Sequence, residues 1–179
     1  MNPERLAVKS GVMPVVTFEL KDNRRLEDRQ TKEYSNENMR EKVFGDELIS
    51  PSPVRLLETE LAKQGGTSLS GRKLTVVSLQ VSATVRSPTV DARETYSAAG
   101  VGPAGPALAG ALIYGFRLAK TRPSMYVRVT IVEDNREYLA SSRADVRFGG
   151  DVSDALSTAI ANVAKEILDR IKSADTELK

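Results

Sequence analysis

The side chains here that can do chemistry are carboxylates, hydroxyls, lysine amines and guanidinium groups, because the 179 residues include no histidine and no cysteine. Without imidazole or thiolate, zinc sites of the usual kind lack ligands, and Ser-His-Asp and Cys-His nucleophilic sites lack a base or a nucleophile. Paired carboxylates remain. Glu58 and Glu60 stand two apart, a spacing that does not bring side chains together on a helix. Asp22 and Asp28 lie in a charged stretch that fixes no separation between them, whereas glycoside hydrolysis needs two carboxylates at a defined distance across a cleft. Gly100, Gly102 and Gly105 satisfy the G-x-G-x-x-G spacing of a dinucleotide loop. Pro103 and Pro106 interrupt it, however, and the preceding strand ends near Val85, well upstream. A Walker loop needs Gly-Lys-Ser/Thr, and no lysine follows these glycines before Lys120. The expectation is a protein that is not an enzyme, with no catalytic residues, no metal site and no cofactor.

The same glycines belong to a second kind of candidate. From Thr95 to Phe116 there is no charged residue, although charged residues make up 28% of the chain, and the segment holds five glycines and two prolines. Prolines cost up to ~3 kcal/mol each inside a helix, which argues against a membrane span. The strongly apolar part, Leu108 to Phe116, is too short to cross a bilayer. As a wet loop the segment would leave that cluster in water. As a contact surface it places Leu108, Leu112, Ile113, Tyr114 and Phe116 on a partner. Ala107, Gly110, Ala111 and Gly115 then allow close backbone approach.

Composition sets the frame for these candidates. Hydrophobic residues at 40% support a folded core, and 179 residues suffice for one domain. The net charge of +2 is too even to imply a nucleic-acid partner. Arg24, Arg25 and Arg29 cluster, but Asp22, Glu27 and Asp28 interleave with them, as on a solvated loop.

The elements that position these residues follow from periodicity. Val12–Leu20 is expected to be a strand with Val16, Phe18 and Leu20 inward. Lys21–Ser50 reads as a long polar loop, with a weak helical turn near Met39–Val43. Ser52-Pro53 opens a helix through Val54, Leu57 and Leu61, with Ser52 as cap, and Gly65-Gly66 ends it. Leu74–Val85 alternates as a second strand, with Val77, Leu79, Val81, Ala83 and Val85 on its apolar face. The uncharged insertion, at about 95–120, follows. Met125–Glu133 and Tyr138–Phe148 form a hairpin around Asp134-Asn135, both residues tolerating left-handed geometry. Gly149-Gly150 breaks that pattern. Asp151 or Ser153 then caps a final helix whose stripe is Leu156, Ile160, Val163, Ile167, Leu168 and Ile171. The product is a single α+β domain in the order β-α-β-β-β-α. It is expected to be a two-layer sandwich of a four-stranded mixed sheet covered by two helices, with the first two strands parallel through a right-handed crossover.

The order and spacing resemble those of the YajG-type lipoproteins of Gram-negative bacteria. More distantly, they resemble the lipoprotein subunits that accompany envelope lipid transporters. The matching stretches are Val15–Arg25, Ser50–Leu61, Leu74–Val81, the hairpin around Glu133–Arg136, and the closing helix from Asp154 to Ile171. The resemblance implies a non-enzymatic domain in the periplasm, anchored to the outer membrane through a lipidated cysteine. Its function would be protein–protein binding or self-association in the cell envelope. The distant likeness implies an alternative, an accessory or carrier subunit for a lipid-like ligand. The family's leader and lipobox cysteine have no counterpart here: Met1–Val8 lacks the apolar run of a signal peptide. Membrane anchoring is therefore expected only through an N-terminal cysteine missing from this sequence. A native start at Met1 would instead imply the cytoplasm.

Overall fold

The structure, a computed structural model, describes residues 6–8, 15–35, 39–86, 123–146 and 151–176. In chain order its elements are β1 (Leu6–Ala7), β2 (Glu19–Asp22), β3 (Lys32–Ser35), β4 (Met39–Phe44), β5 (Ile49–Ser50), α1 (Pro53–Gly65), β6 (Lys73–Arg86), β7 (Ser124–Glu133), β8 (Arg136–Asp145) and α2 (Val152–Thr176). Short 3-10 turns occupy Leu26–Arg29, Asp46–Leu48 and Gly66–Leu69.

The tightest turn organises the sheet's free end. Asp134 and Asn135 both take positive φ, at 46° and 67°, the geometry a two-residue hairpin needs to match strand twist. Glu133 then pairs with Arg136, and β7 and β8 run antiparallel from there to Ser124 and Asp145. On β7, Met125, Val127, Val129 and Ile131 are all buried under the helices, as their alternation predicts. In α2 the stripe Leu156, Ile160, Val163, Ile167, Leu168 and Ile171 is buried throughout. At full burial each such side chain contributes about 1.5–3 kcal/mol, so this one face accounts for much of the core's hydrophobic stabilisation. The helix begins where the Asp151 carboxylate accepts a hydrogen bond from the Ser153 N–H at 3.0 Å. It packs across β7 and β8, and α1 packs beside it and against β6. Gly65 lets the two helices meet: a Cβ there would stand 2.7 Å from a Leu69 methyl and 3.0 Å from one of Leu168. Gly66, at φ 50°, turns the chain out of α1. At the far end Arg72 joins Glu133 (3.0 and 2.9 Å) and Asp175, fastening the end of α2 to the sheet.

The architecture is α+β with two helices on a mixed sheet, but that sheet has six strands, not four, and β1 pairs with β5 in a separate parallel pair. The difference lies in Lys21–Ser50. In place of a loop with a helical turn at Met39–Val43, the chain forms β3 and β4, an antiparallel pair tied by Lys42–Glu33 at 3.1 Å. The sign of charge alternates there in place of apolar and polar residues, and β3, the outer of the two, forms the sheet's edge, where charge is expected. The first strand is also shorter than expected, Glu19–Asp22, and Val15 is 86% exposed. Of its expected inward residues Phe18 is buried, while Val16 and Leu20 pack at the core's margin. It does pair in parallel with β6. Ser52 sits at the N-cap of α1 with Pro53 after it, yet its hydroxyl makes no capping bond.

One residue corrects the face assignment of β6. The β6–β7 register slips between Val76 and Ser78, so Val77 is the extra residue of a bulge. Leu74 and Val76 before it, and Leu79 and Val81 after it, all face the helices. Val77, expected inward, is 41% exposed.

Two strands share one edge of β6. β2 pairs in parallel with Lys73–Val76, and β4 pairs antiparallel with Val81–Arg86. Their C-terminal ends therefore point at one another across the bulged part of β6. Arg24 fills the junction with a side chain only 1% exposed. Its Nε and Nη2 donate to the two Asp22 carboxylate oxygens at 2.9 Å each, and Nη1 and Nη2 donate to Asp46 at 3.1 and 2.8 Å. Arg24 is thus a clamp and not a cation of a solvated loop, while Arg25, Glu27 and Asp28 are exposed as that reading expects. The planar fork of Arg24 satisfies both carboxylates at once, which a lysine does not.

Arg24→Met leaves Asp46 without a cation among the described residues and Asp22 with only Arg29, 3.5 Å away. Breaking a buried pair on one side costs ~3–5 kcal/mol. The aspartates, 26% and 28% exposed, recover some hydration. The expected loss is about 3 kcal/mol, read as a lower urea midpoint; an unchanged midpoint contradicts the clamp. Acid should act on the same site. Burial alone would raise the Asp22 carboxyl, but hydrogen bonds from Arg24 and the charges of Arg24 and Arg29 outweigh it and hold the group below its ordinary 3.8. A carboxyl lowered on folding gives stability that is complete above 3.8 and lost as pH falls through the folded value. Asp22→Asn, having nothing to titrate there, should show a shallower fall in thermal midpoint than the parent protein between about pH 5 and pH 2.

Candidate functional site: the open face of the sheet

The carboxylates singled out from the sequence do not converge. Asp22 is held by Arg24, and Asp28 is exposed on a 3-10 turn. Glu58 pairs with Arg55 at 2.6 Å and Glu60 with Lys63 at 2.7 Å, each along α1. Among the described residues no group of three carboxylates is placed to hold a metal ion. Gly100, Gly102, Gly105 and the expected contact residues Leu108, Leu112, Ile113, Tyr114 and Phe116 lie outside the described residues.

What the described residues bring together is the sheet face turned away from the helices. Alternation dictates its membership. Because Met125, Val127 and Val129 point to the core, Tyr126 and Arg128 point outward, and their cross-strand partners share that face. Those partners are Ser82 and Gln80 on β6, and Arg143 and Ser141 on β8. Farther along, Glu41 of β4 stands opposite Thr84. These side chains line a groove of about 630 Å³. A smaller hollow of about 160 Å³ adjoins it, walled by Glu27 and Asp28, and Gln80 and Arg128 line both.

The electrostatics differ between the two arginines. Arg143 is engaged: its Nε donates to Asp145 at 2.9 Å, and its guanidinium carbon lies 5.5 Å from the centre of the Tyr126 ring. A cation over a tyrosine face at an exposed site gains about 0.5–1 kcal/mol, enough to prefer this rotamer. Ser124 also donates to Asp145, at 2.6 Å, which fixes the carboxylate that orients Arg143. Arg128 has no carboxylate partner among the described residues, although it stands at the centre of the face.

Chemically the face offers hydroxyls, an amide, a tyrosine ring and two guanidinium groups. Such a set recognises acceptor-rich polar surfaces. Tyrosine and arginine are the residues most enriched where proteins bind proteins. Sequence alternation already marked Ser78, Gln80, Ser82 and Thr84 as the polar side of their strand. The missing signal was that Tyr126, Arg128 and Arg143 align with them, which depends on register between strands distant in sequence. Comparison with known proteins adds no assignment: no protein-family model, curated protein or solved structure matches this chain.

Proposed function

We propose that this chain is a non-enzymatic recognition module that binds another protein or a second copy of itself in the bacterial cell envelope. The observation that carries the reading is the open face: an arginine without a carboxylate partner among the described residues, Arg128, flanked by Tyr126 and by a row of hydroxyl and amide side chains. A partner's carboxylates or backbone carbonyls complete the hydrogen bonds that this arrangement leaves open. The uncharged insertion supplies a second contact through Leu108, Leu112, Ile113, Tyr114 and Phe116. The strands on either side of it, β6 ending at Arg86 and β7 beginning at Ser124, have those termini at the same end of the sheet.

Placement in the periplasm, with an outer-membrane anchor, rests on the resemblance to the YajG-type lipoproteins. It requires a leader and a lipobox cysteine upstream of this sequence in the native gene; a native start at Met1 without them overturns the placement. The reading as a carrier of a lipid-like ligand is less well supported. The two hollows of the open face are lined by hydroxyl, amide and guanidinium groups together with the carboxylates of Glu27, Asp28 and Glu41, and a hydrocarbon chain would desolvate these without pairing them.

Arg128→Glu reverses the free charge at a solvent-exposed position. It should leave the thermal midpoint within the range of ordinary surface substitutions, about 0.5 kcal/mol. It should reduce recovery of cross-linked partners from envelope extracts, or self-association in sedimentation, by at least tenfold. Deleting Ser97–Arg117 should weaken the same association with the fold intact. If neither variant changes either measurement, the recognition reading is lost.

A further inference from the structure

The outer edge of β8 is long, and among the described residues no strand pairs with it. The hairpin fixes which of its groups face outward. Glu133 and Arg136 close a two-residue turn and exchange backbone bonds, so even-numbered residues of β8 bond to β7 and odd-numbered ones point away. Ser141 agrees: its N–H leaves the sheet and donates to the Glu166 carboxylate of α2 at 3.2 Å. Glu137, Leu139, Ser141 and Arg143 thus present unpaired or side-chain-capped backbone groups along one line. Such an edge is a template for another strand unless something blocks it.

The geometry points to self-association through this edge: two copies pair β8 to β8 antiparallel about a two-fold axis at Ala140, and Glu166 keeps that pairing weak. Charge selects the register. With the axis at Ala140, Leu139 faces Ser141 of the second copy, and Glu137 faces Arg143 of the second copy. The Glu137–Arg143 ion pair occurs twice by symmetry, as does the Leu139–Ser141 contact. An axis at Ser141 sets Glu137 against Asp145, like against like, and an axis at Leu139 sets it against Ser141. Only the first joins outward-facing groups and opposite charges together. Glu166 opposes it in two ways. It occupies the Ser141 N–H that the second strand needs, and it places a carboxylate beside the axis. Its own tie to Arg170, at 2.7 Å, holds it there. An interface built from one strand edge is small, so the pairing falls in the weak class below ~1,200 Å². This surface is distinct from the insertion, and its test does not rely on Arg128, so either proposal can fail alone.

Sedimentation velocity over a concentration series tests it with the full chain. Glu166→Ala frees the central donor and should raise the self-association constant at least about fivefold. Leu139→Pro removes an N–H that faces outward only, so the monomer keeps its ladder to β7. Added to Glu166→Ala, it should abolish the gain. In that same background Glu137→Arg should weaken pairing, and Glu137→Arg with Arg143→Glu should restore it while excluding the parent sequence from mixed dimers. A Glu166→Ala protein that associates no more than the parent overturns the proposal. So does a gain that survives Leu139→Pro, or a charge reversal that the second substitution does not rescue. Circular dichroism of each variant identifies any that has not folded, and the charge-reversal pair then decides the question without the proline.

Discussion

The fold depends on how one edge of β6 is shared. A fourteen-residue strand is too long for either of the short strands beside it. β2 therefore takes its first part in parallel, and β4 takes its last part antiparallel. Two strand ends meeting head-on bring the partly exposed carboxylates of Asp22 and Asp46 together at one junction. Arg24 resolves this with a single planar group that donates to both aspartates. A buried ion pair of this kind is weak evidence for net stability, because desolvation offsets most of its attraction. Its effect is on specificity. It sets where β2 stops and where β4 stops, and so fixes which residues of β6 remain between them. In that interval lies the bulge at Val77.

The bulge decides which side chains reach the open face. Without it, the alternation that puts Leu74 and Val76 inward would turn Leu79 and Val81 outward, and Gln80 and Ser82 into the core. One inserted residue keeps both apolar pairs beneath the helices. It therefore also keeps Gln80 and Ser82 beside Arg128 and Tyr126. The groove and the core are two consequences of the same local irregularity.

This explains what was legible in the sequence. The hairpin of β7 and β8, the apolar stripe of α2 and the helix after Ser52-Pro53 come from short-range signals: a two-residue turn, a 3.6 period, a proline at the first helical position; the parallel pairing of β2 with β6 follows from the handedness of the crossover between them. β3 and β4 were hidden because their alternation is of opposite charges, Glu33 against Lys42, and not of apolar with polar residues. The face of β6 was misassigned because strict alternation through Val77 fits the residues as well as a bulge does. Only the β7 register distinguishes them. Arg24 looked like one of several loop cations because charge spacing carries no information about burial. The open face itself was half visible, as a row of Ser, Gln and Thr, but its aromatic and cationic members come from strands whose alignment is a tertiary fact.

The sheet's two sides and its free edge place different demands on one strand, β8. Its inward residues, Tyr138 and Ala140, are buried beneath α2, while Ser141 and Arg143 on the other side border the groove. Among the described residues, the side chain that meets its outward backbone groups is one carboxylate, Glu166. That carboxylate comes from the same helix whose opposite stripe forms the core. Any shift of α2 that improved coverage of the edge would lift Ile160, Val163 and Ile167 from the sheet. Burial of those side chains is worth several kilocalories per mole in sum, and one hydrogen bond to an edge amide is worth about one. The helix is therefore positioned by the core, and the edge is protected only as far as one glutamate reaches. An edge that the described residues cover incompletely, beside a polar face of the sheet, is a consequence of that ranking of energies.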